Sequence, residues 1–385
     1  MQAKRIAFVY DWFDTEIGGA ERVIKVFHEM YPDATWYTLH IDHKSVPWAK
    51  TWNICPSFIQ KLPLWFRKNR ILTLIFMPFA FESFDLSSYD LVISISSGFA
   101  KNVITNANTK HFCYLLTPPR WLWKSRKQRA ESKVHKIFDR LFGKYLRNWD
   151  KSGAARVDKY VSISQEVANR CREFYGRESE VIYPPFEYEE WNNLCQEKKT
   201  ENIAGLSPKS YFLVVSRLKK YKKVNLAIEA FVKLKKQKAK NKEHKLVIVG
   251  SGEEEGALKS LCRDLKLEDD VVWLKNTTDE QLAGLYANAI SLVMPQEEDF
   301  GYTACEATAC GVPTVCFNRG GQTEVIKNGK NGVYFDSQNA GRIARALEEV
   351  TNFKYNLGTY ENSNIRGWSR HSFVAAFSQK ISEAI

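Results

Sequence analysis

Two doubly wound α/β domains of similar size, each a parallel sheet with helices on both faces, and the two facing a cleft, are the fold this sequence predicts. Three observations predict it. Short apolar runs alternate with helical patterns along the whole chain. The alternation breaks at Ile182-Tyr-Pro-Pro-Phe186, where two prolines interrupt regular structure, and then restarts. The 385 residues suffice for two domains, and 44% hydrophobic and 13% aromatic residues supply two cores. The expected division is 1–183, 184–366 and a closing segment 367–385.

In the first half a strand pattern over Arg5–Tyr10 leads into Gly18-Gly19 and a helix over Ala20–Met30. Further strands are expected at Thr35–His40, Leu91–Ser96, His111–Leu116 and Lys159–Ile163, with helical patterns over 121–150 and 165–175. Residues 57–81 mix apolar and aromatic residues with Lys61, Arg67, Lys68 and Arg70. That mixture suits a segment at a membrane interface, and equally a core helix pair with a charged elbow.

In the second half the strands are Tyr211–Ser216, Lys245–Val249, Val271–Leu274, Ile290–Met294 and Thr314–Phe317. Helices follow at about 223–237, 254–265, 278–287, 303–310 and 338–350, and Trp368–Ile385 has an amphipathic helical pattern. The lysine-rich helix end at 233–245 has the composition of a solvated surface.

Charge is uneven. The net +12 divides into +10 over residues 1–185 and +2 over 186–385, and 120–147 holds ten basic residues against Glu131 and Asp139. The first half therefore expects an anionic partner such as lipid headgroups, although a basic run is also what a solvated helix looks like. Long basic helices without a recognised module argue against nucleic acid. No stretch reaches the ~20 apolar residues of a membrane span. Met1-Gln-Ala-Lys-Arg5 runs straight into a strand pattern, so no signal peptide is expected. The eight cysteines include no Cys-x-x-Cys pair and are expected to be reduced, mostly buried thiols of a cytoplasmic protein, with no metal site.

The richest stretch is 295–313. Glu298 and Glu306 stand eight apart, with Phe300-Gly301 between them and a helix start near Tyr302. The apolar run Ala289-Ile-Ser-Leu-Val-Met294 precedes them as a buried strand. A strand, a glycine turn and a helix N-terminus offer free amides and a positive dipole end to an anionic or polyhydroxy ligand. Two carboxylates at the strand's carboxyl end suit sugar and ribose hydroxyls. Spacing alone is also met by two solvated glutamates.

Arg217 ends the second half's first strand and Lys222 follows five residues later. A guanidinium fork and an ammonium there can clamp a diphosphate, and five basic residues within seven positions can also form a solvated turn. Gly250-Ser-Gly252 is a weak signal that fits close packing at a strand–helix corner. Gly18-Gly19 and Gly320-Gly321 each precede a helix and allow close backbone approach, to a ligand or simply within a turn.

Arg217 with Lys222, Gly250-Ser-Gly252, Glu298-Asp-Phe-Gly301 with Glu306-Ala307, Ala309-Cys-Gly-Val-Pro313 and Gly320-Gly-Gln-Thr-Glu324 occur in that order. The combination resembles the retaining nucleotide-sugar glycosyltransferases of family 4, or group 1, with the GT-B fold. The likeness covers most of 205–335 and extends loosely through Gly18-Gly19, Tyr89-Asp-Leu-Val92, Thr117-Pro-Pro-Arg120 and Ile182-Tyr-Pro-Pro185. It implies that Glu298 contacts the donor sugar and Glu306 the ribose. It implies that Arg217 and Lys222 hold the diphosphate, and that backbone groups of Gly18, Gly19, Gly250 and Phe300, Gly301, Tyr302 and Thr303 meet the donor. Arg120 falls on the acceptor side, and the last helix crosses back to brace the first domain. Many members carry a histidine just before the Thr-Pro pair, where this chain has Leu116; His111 lies at the strand's other end.

The resemblance implies transfer with retention from a GDP-linked or UDP-linked sugar, with no metal and no further cofactor. Thr117–Trp123 points towards users of GDP-mannose. The expected acceptor is a hydroxyl of a glycan or polyprenyl-linked saccharide, met by a cytoplasmic protein peripheral to the anionic inner face of the cell membrane. A nucleotide-sugar 2-epimerase of the same fold and a non-catalytic sugar-nucleotide binder stand as alternatives.

Overall fold

The structure, a computed structural model, describes residues 5–14, 18–123, 133–199, 203, 205–237, 243–352 and 363–384. Residues 124–132 of the basic stretch and 238–242 of the lysine-rich run lie outside them. The chain divides into one unit of residues 1–185 with 370–385, and a second unit of residues 186–369.

The first unit contains β1 (Ile6–Tyr10), α1 (Gly19–Met30), β2 (Thr35–Thr38), β3 (Ile54–Pro56), α2 (Leu64–Lys68), α3 (Arg70–Leu74), α4 (Met77–Glu82), β4 (Leu91–Ser96), β5 (Lys110–Leu115), α5 (Arg120–Trp123), α6 (Lys133–Arg156), β6 (Lys159–Ser162), α7 (Gln165–Tyr175) and β7 (Glu180–Val181). All seven strands are parallel, in the order β3-β2-β1-β4-β5-β6-β7. The chain winds outward from β1 to β3, then crosses back to β4 beside β1. β4 is buried along its whole length, which is why its sequence is a nearly continuous apolar run. Beneath it Lys101 and Asp150, both fully buried, form an ion pair. Asp150 also accepts hydrogen bonds from Trp123 and Tyr175, so the buried carboxylate is well satisfied.

The second unit contains α8 (Tyr188–Lys198), β8 (Tyr211–Val215), α9 (Val224–Gln237), β9 (Lys245–Val249), α10 (Glu255–Asp264), β10 (Val271–Leu274), α11 (Asp279–Asn288), β11 (Ser291–Met294), α12 (Tyr302–Ala309), β12 (Thr314–Phe317), α13 (Gln322–Val325), β13 (Gly332–Phe335), α14 (Ala340–Asn352) and α15 (Ser363–Arg366). Its six strands are parallel in the order β10-β9-β8-β11-β12-β13. α9 and α14 cover one face, where Phe231, Leu234, Ile343 and Leu347 are buried against the sheet. The last helix, α16 (Arg370–Ala384), belongs to the first unit. Phe373 and Phe377 stack edge-on against Phe27 of α1 and Tyr114 of β5, with centroids 4.7–5.9 Å apart. Burying each such ring contributes about 1.5–3 kcal/mol.

The fold is thus two Rossmann-like parallel-sheet units, as the alternation predicts. The cysteine expectation needs correcting: Cys195 of α8 and Cys310, at the end of α12, are joined in a disulfide, while the other six are free. The two lie 115 residues apart, so no spacing pattern announces the pairing.

Candidate functional site

In the second unit the strand order reverses between β8 and β11, and ligands of open α/β sheets bind at the carboxyl ends of such a pair. Arg217 and Lys222 follow β8, and Glu298 follows β11. The site is built by how these two loops are held.

After β8 the chain passes Arg217 and enters a 3-10 turn at Lys220–Lys222. Lys223 takes a left-handed φ of 54°, which swings the chain into α9. Arg217 is exposed and its guanidinium donates to the Tyr221 hydroxyl at 3.4 Å. The loop rests on Gly250-Ser-Gly252. Leu218 N–H donates to Ser251 O at 2.8 Å, and Glu254 N–H to Leu218 O at 3.0 Å. A Cβ at Gly250 would overlap Ser216 O and one at Gly252 would overlap Leu218 O, so both glycines permit close backbone approach. Gly250 therefore packs against the Ser216 carbonyl, next to Arg217.

After β11 the chain turns through Pro295–Gly301. Glu298 pairs with Lys222, their side chains only 16% and 12% exposed, and its Oε1 also accepts from Gln296 Nε2 at 2.7 Å. Gln322, fully buried, clamps this turn: its Oε1 accepts from Glu298 N–H at 2.9 Å, and its Nε2 donates to Gln296 O and Phe317 O at 3.1 Å each. Gly321 N–H adds a bond to Glu298 O at 2.9 Å, and a side chain at Gly320 or Gly321 would collide with the turn. The Gly-Gly-Gln run is thus the floor under Glu298. Gln338 bridges the two loops by donating to Pro295 O at 2.8 Å and accepting from Lys223.

Gly301, at φ 102°, opens α12. Phe300 is buried against Tyr302 and Trp368, with centroids 5.0 and 5.4 Å away, while Tyr302 and Thr303 are half-buried in the first helical turn. Thr303 Oγ lies 3.8 Å from Met294 Sδ. Glu306 is one turn further, 3% exposed, and accepts from the Tyr286 hydroxyl of α11 at 3.0 Å. Glu298 faces Lys222 at the loop surface, whereas Glu306 faces inward.

Gly18, Gly19 and Arg120 lie in the first unit. Gly18 caps α1, and its N–H donates to Glu21 Oε2 at 3.0 Å; the other oxygen of Glu21 accepts from Tyr10 OH at 3.0 Å. Arg120 opens α5 and is half-buried. Leu116, directly after β5, is buried. His111 is fully buried and bonded to Ser94 Oγ at 2.9 Å, and burial pushes its pKa down to about 4. It serves the sheet interior.

Sequence reasoning missed the roles of Gln296, Gln338 and Tyr286, which carry no charge; Gln296 lies inside the 295–313 stretch but is overshadowed there by its two glutamates. Gln322 lay inside a quoted motif, yet its amide acts on backbone atoms, which spacing cannot reveal. Among the described residues no three or more His, Cys, Asp or Glu side chains gather as metal donors. No described helix is long and apolar enough to cross a membrane.

This clamped pair of loops falls within residues 196–360, which match the family model of glycosyl transferases group 1. Residues 196–360 belong to that family. An uncharacterized glycosyltransferase of Methanocaldococcus jannaschii is 32% identical over 215 residues, 54% of this chain and 52% of its own. The chain spans about half the length of the curated relatives it matches. Among solved structures, Anabaena HepE in complex with UDP and glucose aligns with a TM-score of 0.70 at 16% identity, over 99% of this chain and 100% of its own. The lipopolysaccharide outer core galactosyltransferase WaaB aligns with a TM-score of 0.65 at 18% identity, over 99% and 100%. At these identities the likeness is one of fold, and that fold is GT-B.

Proposed function

We propose that this protein is a retaining glycosyltransferase, moving a hexose from a GDP-linked or UDP-linked donor to a hydroxyl of a lipid-linked or polysaccharide acceptor in cell-surface glycan synthesis. The observation that carries the reading is the placement of Arg217, Lys222 and Glu298 on the two loops flanking the β8–β11 switch point of a group 1 domain.

In this mechanism the bond between the sugar's anomeric carbon and the diphosphate oxygen breaks, and the bond to the acceptor oxygen forms on the same face. The acceptor's proton passes to the departing diphosphate. Negative charge therefore grows on the leaving group, where Arg217 and Lys222 stabilise it with the α12 N-terminus. Glu298 orients sugar hydroxyls and Glu306 takes the ribose. Gly18 and Gly19 bring backbone close to the donor, and Arg120 serves the acceptor. This arithmetic needs no metal. The UDP and glucose bound by HepE support a sugar-nucleotide donor, and mannose stays a candidate sugar. The +10 charge of residues 1–185 and the name of WaaB support an acceptor at an anionic, glycan-bearing membrane, met from the cytoplasmic face.

The test is a thermal-shift panel of GDP, UDP, ADP, dTDP and CMP with and without Mg²⁺, followed by product analysis with the matching donor. A ligand specific to the folded state raises stability by ~2.7 kcal/mol at a hundredfold excess over its Kd. One nucleoside diphosphate should shift melting without Mg²⁺, and transfer should require an acceptor. Conversion of the donor without acceptor would make the protein an epimerase; binding without turnover over a broad acceptor panel would make it a binder.

A further inference from the structure

The exposed large apolar side chains are distributed unequally: among the described residues all but Tyr221 lie in the first unit. They concentrate on two stretches. Leu64 and Trp65 of α2 are 48% and 68% exposed, and Phe76 and Phe79, at the start of α4, are 39% and 63% exposed. On α6, Leu141 and Tyr145 are 66% and 51% exposed. The inner sides of the same helices are well buried, since Leu74, Met77, Ala80 and Phe81 belong to the core. The outward apolar residues are therefore not required to fill it.

A slot of about 290 Å³ joins the two stretches, lined by Ile75, Phe79, Phe142, Tyr145 and Leu146. Its lining offers one phenol and otherwise hydrocarbon. A cavity of that kind has room for several waters but a single polar partner for them, and it favours an apolar guest. Among the described side chains of these helices, the exposed charge is basic. Arg140, Lys144 and Lys151 are exposed on α6, and Lys61 is exposed just before α2. The carboxylates whose side chains are described on α2–α4 and α6 are both paired: half-buried Glu82 with Arg156 and Trp149, and buried Asp150 with Lys101. An apolar, aromatic face edged by cations and poor in free carboxylate complements an anionic bilayer.

We propose that the α2–α4 and α6 face docks on an anionic phospholipid bilayer, with one acyl chain seated in the slot between α4 and α6. This deepens the membrane contact put forward above by assigning it a surface, and it rests on that reading for its biological sense only. Vesicle binding needs no glycosyl transfer.

The test is co-sedimentation of the full chain with vesicles of phosphatidylcholine alone or mixed with phosphatidylglycerol, at low and high salt. The wild type should bind the mixed vesicles at low salt and lose at least tenfold at high salt. Trp65→Asp and Phe79→Asp change exposed positions, so folding is retained, and each should weaken binding at least tenfold. Ile75→Glu probes the slot, and a soluble short-chain phosphatidylglycerol should protect the wild type against thermal unfolding, while glycerol phosphate should not. Equal binding to both vesicle types, or Asp variants that bind like wild type, would overturn the surface. Equal protection by glycerol phosphate, or undiminished protection of Ile75→Glu, would overturn the slot. Nucleoside diphosphate shifts measured on the same variants read the proposed donor site, whose residues these substitutions leave unchanged. Vesicle binding without nucleotide binding would sink the glycosyltransferase reading and leave this one standing, and the reverse holds too.

Discussion

Lys222 and Glu298, 76 residues apart, hold each other in an ion pair across the β8–β11 switch point. In this pair the cation proposed for the diphosphate is neutralised by the carboxylate proposed for the sugar. A donor entering this site separates charges already compensated, so each partner restrains the other until both have something better to bind. Glu298→Gln should reduce turnover at least about 100-fold. The same change releases Lys222, so affinity for the nucleoside diphosphate should hold or rise. Steady-state kinetics with calorimetric nucleotide binding checks both, and unchanged turnover would remove Glu298 from the chemistry.

Gln322 acts through backbone. Its three hydrogen bonds, to Glu298 N–H, Gln296 O and Phe317 O, lie in a fully buried position. Gln322→Leu removes this partner from Glu298 N–H and Gln296 O, while Phe317 O keeps Arg319 N–H, at about 1–3 kcal/mol in stability. It should also lower kcat more than it raises KM, because the loop carrying Glu298 loses its anchor while Arg217 keeps its own. A loss confined to stability, with kcat intact in the folded enzyme, would make the clamp merely structural.

Two glycines should respond differently to alanine. At Gly250, φ is 136° and a methyl group would overlap Ser216 O. At Gly311, φ is 66° and a methyl group meets nothing within 4 Å. Gly311→Ala should cost about 1–2 kcal/mol from the left-handed backbone alone. Gly250→Ala adds a backbone collision and should cost clearly more, with displacement of the Arg217 loop. Urea unfolding compares them, and equal midpoints would refute the close-approach argument.

The legible parts of this fold are those where burial dictates composition. β4 is buried on both faces, so its sequence is unmistakable, whereas β3 and β7 have three and two residues, β3 ending in proline, and leave almost no pattern. Glu298, Lys222 and Arg217 were visible because charge beside a buried strand stands out. Gln322 and Gln338 were not, since a neutral amide in a loop has no periodicity and its partners are backbone atoms. The inward turn of Glu306 towards Tyr286 was equally hidden, because that contact spans two helices.

The disulfide makes a separate prediction. Cys195–Cys310 ties α8 to the end of the helix that carries Glu306. Closing a loop of that length stabilises by roughly 4–5 kcal/mol on the chain-entropy account. Denatured, unreduced protein should therefore titrate six thiols rather than eight, and reductant should lower the melting temperature. Eight thiols without reductant would show that the pair is not oxidised in the purified protein.

His111 sets an acid limit. Burial holds its pKa near 4, against 6.5 for the free side chain, and Asp158 only partly offsets that burial. Between those values the unfolded chain binds a proton that the folded chain refuses, so unfolding gains free energy as pH falls. Above about 6.5 both states are neutral at this group and there is no penalty. Stability should decline from pH 6.5 towards pH 4, by on the order of 3 kcal/mol from this residue, and the residue's share should level off below. His111→Gln keeps a group able to bond Ser94 and removes the titration. Its stability at neutral pH should fall modestly, while the decline between pH 6.5 and 4 becomes shallower than in the wild type. Parallel pH profiles for the two proteins would mean that the acid sensitivity comes from elsewhere, and that His111 takes up its proton in the folded sheet at ordinary cost.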